Sequence, residues 1–454
     1  MTEAITEANI HDLMKRDNVA FINFQFSDMF GIVKSVTIPT SKFAGSLKHG
    51  LWFDGSSIEG FTRIFESDML LRPDLSTYSM IPWMKTNSYN IARVICDVFM
   101  PDGEPFESDP RFILRKVIKE ARDMGFLYNT GPESEFFLFK RENGRIKTAQ
   151  NRAIEPHDRG QYFDLVLDLG FEVRRDMMEV LIQMGIDVEA SHHEVAPGQH
   201  EIDFKYGDAL SSADKVLTLK STLKVIAEKH GLYATFMPKP ITGVNGSGMH
   251  VHQSLFSLDG EKNLFYDAND KYHLSEIAYH FLAGQMHHVN AMAAILNPIV
   301  NSYKRLVPGY EASTYICWAQ TNRSALIRVP RCSAGREKAA RIEIRCPDPS
   351  CNPYLAFAML LKAGLDGIKN KIQPPEPVEE NVFEFDKDQL LERKIDVLPY
   401  SLWHSLSSLK KNPVMLSVLG DELASKYIRA KEKEWDDYRI SVTDWEIENY
   451  LEWV

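Results

Sequence analysis

Three short segments hold most of the residues whose types and spacing could do chemistry. They are residues 131–139 (GPESEFFLF), 246–254 (GSGMHVHQS) and 340–345 (ARIEIR). Each reads as a β-strand, and residues two apart in a strand share a face. That places Glu133 with Glu135, His250 with His252, and Arg341, Glu343 and Arg345 together, with Ile342 and Ile344 turned the other way. One polar stripe is ordinarily the wet side of a sheet. Three stripes mixing Glu, His and Arg beside glycine-rich turns argue for one shared site. A fourth segment, residues 191–201, sets Glu194 and Glu201 on either side of a Pro-Gly turn that could fold them toward one point, a surface hairpin tip being the plainer alternative.

Several carboxylates with one or two imidazoles, and no cysteine among them, suit hard divalent cations such as Mg²⁺ or Mn²⁺. Such ions commonly bridge nucleotide phosphates and a second reactant. Arg305, Arg323, Arg328, Arg341 and Arg345 would neutralise phosphate charge, although any one of them alone could be a structural ion pair. Two like unit charges about 4 Å apart repel by about 4 kcal/mol at an effective dielectric near 20, so an anion attacking a phosphate needs a cation-dense site. Neither a G-x-x-x-x-G-K-[ST] loop nor a strand-to-helix G-x-G-x-x-G is present, and the run Gly243–Gly248 leads into a strand.

The elements that must position these residues follow from pattern. Residues 19–38 alternate like a hairpin around Asp28–Gly31, a loop rich in Gly, Ser and acids spans 50–68, and residues 91–99 read as another strand. A helix is expected over 110–124, with Asp109 as its N-cap and Gly125 ending it. Further helices are expected at 171–184, 209–230, 274–294 and 352–368, then a proline-bearing linker at 374–377 and short helices to Trp453. A chain of 454 residues exceeds what one core usually supports, so two domains are expected, 1–108 small and β-rich and 109–454 large and mixed.

The net charge of −11, with no basic face or tail, disfavours a nucleic-acid partner. Five scattered cysteines read as a reducing compartment. No apolar signal core or membrane-length stretch stands out, so a soluble, cytoplasmic protein is expected.

Longer motifs carry a resemblance. Residues 52–61 (WFDGSSIEGF) with 66–69 (ESDM), residues 239–254 (KPITGVNGSGMHVHQS), residues 341–348 (RIEIRCPD) and residues 352–357 (NPYLAF) resemble glutamine synthetases of the bacterial and archaeal class I, from about residue 20 onward. The resemblance implies an α+β chain: a small N-terminal β-grasp domain and a large catalytic α/β domain of the glutamine synthetase/guanido kinase type. It further implies a homododecamer of two stacked hexameric rings, with active sites between neighbouring subunits. The implied reaction joins ammonium to L-glutamate at the expense of ATP through γ-glutamyl phosphate. A γ-glutamyl-amine ligase using an organic amine is the alternative within the same family.

Carried over motif by motif, the resemblance implies one cation (Mg²⁺ or Mn²⁺) held by Glu135, Glu194 and Glu201 and a second by Glu133, His250 and Glu343. Glutamate would be held by Asn245, Gly246, Arg305, Glu311 and Arg345. ATP would be held by Glu189, His252, Ser254, Arg328, Lys338 and Arg341, with Arg323 at the transferring phosphoryl group. Ammonium would lie near Asp54, Ser57, Tyr162, Glu194 and Glu311, with Asp54 as general base, acting in the neighbour's site, and Glu311 as a flap. Phe383 stands where adenylylated relatives have a tyrosine, so the chain resembles the feedback-regulated subclass. In that subclass the arginine matching Arg63 is linked to glutamine inhibition; 2-oxoglutarate is another candidate effector and a small regulatory protein another candidate partner.

Overall fold

The computed structural model describes residues 5–56, 58, 68–142, 145–146, 155–310, 312–333 and 335–454. Its N-terminal part holds α1 (Ile10–Arg16), α2 (Phe43–His49) and five strands: β1 (Val19–Ser27), β2 (Val33–Pro39), β3 (Leu51–Asp54), β4 (Asp68–Met80) and β5 (Asn90–Phe99). They form one sheet in the order β2-β1-β5-β4-β3, with β1 and β5 parallel and the other pairs antiparallel. The expected hairpin at 19–38 is β1–β2, turned by Asp28, whose Oδ1 accepts from the amides of Phe30 and Ile32. Alternation sends Ile22, Phe24, Val94, Cys96 and Val98 to a core against α1 and α2. The stretch expected to be a loop over 50–68 begins and ends in strand instead, because Leu51–Asp54 pairs with Asp68–Leu71.

The larger part contains β6 (Leu127–Glu142), β7 (Arg145–Ile146), β8 (Val188–His193), β9 (Gln199–Phe204), β10 (Gly207–Asp208), β11 (Leu232–Thr235), β12 (Met249–Phe256), β13 (Tyr315–Ala319), β14 (Ala325–Arg328), β15 (Ile342–Ile344) and β16 (Asp396–Val397). The long path of its sheet runs β16-β13-β14-β15-β12-β6-β9-β8, with the remaining strands paired to β6. Its helices are α3 (Pro110–Asp123), α4 (Phe171–Gln183), α5 (Ala209–Lys229), α6 (Glu276–Leu296), α7 (Ser302–Arg305), α8 (Pro353–Asn370), α9 (Lys387–Glu392), α10 (Leu402–Lys410), α11 (Pro413–Arg439) and α12 (Asp444–Tyr450).

The five expected helices are α3, α4, α5, α6 and α8, within two residues at each end. Asp109 caps α3 by accepting from the Arg111 amide, and Asn352 caps α8 by accepting from the Tyr354 amide, each followed by proline at the first helical position. Three expectations shift. Gly246–Gly248 lies outside the strand that begins at Met249. Arg341 and Arg345 flank a strand of only three residues. The tail after residue 400 is not made only of short helices, since α11 spans 27 residues across a kink at Gly420.

Phe136, Leu138, Met249, Val251, Ile342 and Ile344 point into one core with α3, α5, α6 and α8. Helices α6 and α8 meet at glycines: a Cβ on Gly284 would lie 2.2 Å from the Ala363 carbonyl oxygen, and one on Gly367 2.1 Å from that of His280. The two parts are joined by charge as well as packing. Arg111 of α3 is 2.8 Å from Asp74 and 2.6 Å from Asp97 of the N-terminal sheet, and 2.9 Å from Asp214 of α5.

Candidate active site

Strand register assembles the site. His250 stands opposite Glu133 across β12–β6, and His252 opposite Glu343 across β12–β15. Glu343 in turn faces Arg328 across β15–β14. On the other side of β6, Glu135 stands opposite Glu201, and Glu201 opposite His192. Directly opposed residues share a face, as do residues two apart. The helices cover the other face, so these side chains form one polar surface over the sheet.

Two cavities open on it. One of about 330 Å³ is lined by Glu133, Glu135, Tyr162, Glu194, Glu201, Asn245, Gly246, His250, Arg305, Arg323, Arg328, Glu343 and Arg345, among others. The second, about 310 Å³, is lined by Glu189, His252, Ser254, Lys338 and Arg341 and shares Glu133 and Asp203 with the first. The described residues among those expected around glutamate and the cations therefore line one cavity. Those expected around ATP line the other, except Arg323 and Arg328, which face the first. Tyr162 reaches the first cavity from the loop before α4, with its ring 5.7 Å from that of His192. Asp54 ends β3, where its Oδ1 accepts from the Ser56 amide, and lines neither cavity of its own chain. Ser57, Arg63 and Glu311 lie outside the described residues.

Two clusters in the first cavity have the spacing of cation ligands: Glu133, His250 and Glu343, and His192, Glu194 and Glu201, each with ligand atoms within 4.8 Å of one another. Their electrostatics differ. Glu343 is fully buried and accepts from Arg345 Nη1 at 2.5 Å and from Arg328 Nε, with His250 Nδ1 3.6 Å away. Burial alone pushes its carboxyl up, but the charges of Arg345, His252, His250 and Arg328 overcome this and bring it down to about 2. Glu133 is likewise driven down against its burial by His252, whose Nε2 is 2.8 Å away, and by His250.

The other cluster has too little positive charge. Burial and the charge of Glu194 push Glu135 up to about 8, against the opposing effects of Arg305 and the Gly248 amide. Burial and the charges of Asp203, Glu135, Glu133 and Glu194 push Glu201 well above the usual carboxylate range. Asp203 rises to about 6 through burial and Glu133. Crowded buried carboxylates of this kind fit a divalent cation, whose charge would restore their ionised form.

The residues expected on the glutamate side are built into a frame. Arg305 is buried and donates from Nη1 to the carbonyls of Cys346 and Pro347, at 2.8 and 3.2 Å. Glu135 Oε2 accepts from Gln199 Nε2 at 2.7 Å and from the Gly248 amide at 2.9 Å. In the second cavity Arg341 Nε donates to His252 Nδ1 at 3.1 Å, while Lys338 is 3.0 Å from Glu261 near the surface. Sequence reasoning missed His192, Gln199 and Asp203. The signal was available, since His192 and Asp203 lie two residues from Glu194 and Glu201 and so share their face.

Acids, imidazoles and arginines on one sheet face, over two adjoining cavities, define a cation-dependent enzyme that handles phosphate. The catalytic-domain model of glutamine synthetase matches residues 107–450, and the β-grasp-domain model of the same family matches residues 18–101. The chain is 52% identical over 448 residues to a glutamine synthetase of Clostridium saccharobutylicum, covering 98% of each. The cryo-EM structure of the Plasmodium falciparum glutamine synthetase superposes with a TM-score of 0.87 at 26% identity, covering 99% of each chain. An ADP complex of GmaS superposes with a TM-score of 0.85 at 30% identity, covering 97% of this chain and 98% of that one.

The chain belongs to the glutamine synthetase family. Its reaction is the ATP-dependent ligation of ammonium to glutamate, and its N-terminal sheet is the β-grasp domain of that family. Divalent-metal use comes with the family. Among the described residues no helix is long and apolar enough to cross a membrane.

Proposed function

We propose that the two cavities divide the reaction between them. The carrying observation is that the candidate cation clusters and Asn245, Gly246, Arg305 and Arg345 line one cavity while Glu189, His252, Ser254, Lys338 and Arg341 line the other, with Glu133 common to both. Glutamate lies in the first cavity, held by Asn245, Gly246, Arg305, Glu311 and Arg345. ATP lies in the second, and the ADP complex of a structural relative supports a nucleotide site on this fold.

The γ-carboxylate of glutamate attacks the terminal phosphorus of ATP, and the bond to ADP breaks. Arg323, Arg328 and Arg341 offset the charge on the transferring group, as phosphoryl transfer requires. Two Mg²⁺ or Mn²⁺ ions would be held by Glu135, Glu194 and Glu201 (with His192 beside them) and by Glu133, His250 and Glu343, supplying positive charge between carboxylate and phosphates. Asp54 of a neighbouring subunit takes a proton from ammonium, helped by Ser57, Tyr162 and Glu194. Ammonia then attacks the acyl phosphate, and phosphate leaves. Glu311 closes the site against water, because acyl phosphates hydrolyse.

The same reading includes a domain division near residue 108, a homododecamer of two hexameric rings, a cytoplasmic setting and feedback control through Arg63 without adenylylation. The gap between the matched spans 18–101 and 107–450 supports the division, and the failure of Asp54 to line its own chain's cavities supports a shared site. The test is phosphate release from ATP with glutamate, Mg²⁺ and varied ammonium, with the product identified by mass. Ammonium-dependent release yielding glutamine is expected. Release that ignores ammonium but follows ethylamine or putrescine would overturn the ammonium pocket.

A further inference from the structure

We propose that Asp158 is a positioning residue for the cation site of His192, Glu194 and Glu201, gripping from beneath the hairpin that carries them. The proposal rests on reading that cluster as a cation site. Alternation along β8 and β9 turns His193 and His200 to the opposite face from these ligands. They stand opposite each other in register, with rings 4.7 Å apart and nearly perpendicular. Both are fully buried, as is the Asp158 carboxylate.

Asp158 Oδ1 accepts from His193 Nε2 at 2.8 Å and from the Gly198 amide at 2.9 Å. His193 Nδ1 in turn donates to the Glu194 carbonyl at 2.6 Å. Both partners of the His193 ring are acceptors, so the ring carries a proton on each nitrogen, and both ends of the Glu194–Gly198 turn hang on one buried carboxylate, directly at Gly198 and through this imidazolium at Glu194.

Asp158, His193 and His200 also have ligand atoms within 4.8 Å of one another, which invites reading them as a third metal centre. The proton count argues otherwise. Arg174 Nη1, which can only donate, is 2.8 Å from His200 Nδ1, so the proton of a neutral ring sits on Nε2 and leaves no lone pair there for a metal. Arg174 is itself fixed by Asp168 at 2.6 and 2.8 Å.

The segment bearing Asp158 lies tight against both rings. A Cβ at Gly160 would be 2.7 Å from His193 Nε2, and one at Gly170 would be 2.5 Å from His200 Cε1. The same segment carries Tyr162 to the first cavity, and the Phe163 amide donates to the His193 carbonyl at 3.2 Å. Asp158 thus links the segment that carries Tyr162 to both ends of the Glu194–Gly198 turn, a positioning task of the kind buried partners of metal ligands commonly perform.

The test is a Mn²⁺ titration of the purified, assembled protein, with free ion counted by electron paramagnetic resonance. Wild type should show two classes of site, and Glu343→Gln assigns one of them by weakening it. Asp158→Ala should weaken the other class about 10- to 100-fold and leave the Glu343-dependent class unchanged. Should Asp158→Ala fail to assemble, Asp158→Ser is judged by the same criterion. Wild-type binding at both classes would overturn the proposal, and so would equal weakening of both, which marks general loosening. A single class in the wild type would overturn the two-cluster reading itself, a distinguishable result.

Discussion

Replacing Glu343 with glutamine tests the electrostatic frame directly. The substitution keeps the side-chain volume, so it opens no cavity, but it removes the one negative charge shared by Arg345 and Arg328. Breaking a buried ion pair by removing one partner costs about 3–5 kcal/mol, because the remaining charge stays buried. Here the orphaned side chains are 11% and 27% exposed, so water screens part of the penalty and the lower end applies, about 3 kcal/mol. At about 2 °C per kcal/mol for a large domain, the metal-free protein should melt about 6 °C lower. The assay is a thermal melt in EDTA near neutral pH, at matched protein concentration and scan rate. A second substitution, Arg328→Met, removes one orphaned charge and should recover part of the loss, a coupling of about 1 kcal/mol or more between residues in direct contact. A Glu343→Gln protein melting within 1 °C of wild type, or a double variant no better than the single one, would refute the reasoning.

Gly246→Ala should fold but lose about 100-fold in kcat/KM for glutamate, the order expected for a displacement near 1 Å. The reason is local: the new Cβ would lie 2.2 Å from the Pro238 carbonyl oxygen, a backbone atom already accepting from the Ser247 amide, so the loop proposed to hold glutamate must shift. Asp74 bridges Arg111 and Arg115 across the domain seam, and although its burial works the other way, its bonds to Ser76 and Arg111 bring its carboxyl down to about 2. A carboxyl lowered on folding contributes stability above its unfolded pKa near 3.9 and loses it as pH falls toward 2. Discounted for its partial exposure, that is about 1 kcal/mol, so Asp74→Asn should narrow the drop in melting temperature between pH 5 and pH 3. Mixed oligomers of Asp54→Ala and Glu343→Ala chains should regain part of the activity each lacks alone, and mixtures that never do would exclude a site shared between subunits.

Most of the site was legible because it rests on the period-two alternation of strands. Glu133, Glu135, His250, His252 and Glu343 could be grouped from spacing alone, since hydrophobic neighbours such as Phe136, Val251, Ile342 and Ile344 fix which face each strand buries. Strand order is what local pattern cannot supply. Nothing near residue 250 says that β12 lies between β6 and β15, or that β9 pairs with β6 to set Glu201 opposite Glu135. The Pro-Gly turn at 197–198 correctly suggested that Glu194 and Glu201 converge. The anchor of that turn is Asp158, some 40 residues upstream in a segment with no periodicity, and no spacing rule would have found it. The strand at Leu51–Asp54 was hidden for a related reason: it is short, sits beside Gly-Ser residues, and takes its strand form from pairing with Asp68–Leu71.

The same register explains why the two candidate cation clusters differ in charge although both stand on one face of one sheet. Toward β15 and β14 the neighbours are Arg328, supplied by pairing, and Arg345, two residues along from Glu343, and the acids there are held ionised. Toward β9 and β8 the paired neighbours are Glu201 and, two residues on, Asp203, so carboxylate faces carboxylate and their protons are held more tightly. Charge along the sheet therefore runs from arginine-rich to acid-rich within five strands, and Glu133 of the central strand β6 borders both cavities. A phosphoryl donor and a carboxylate acceptor, both anionic, can meet only where positive charge is available from both directions. On the reading proposed above, that place is beside Glu133, which lines both cavities, between the arginines fixed by Glu343 and the cation that the opposite acids would hold.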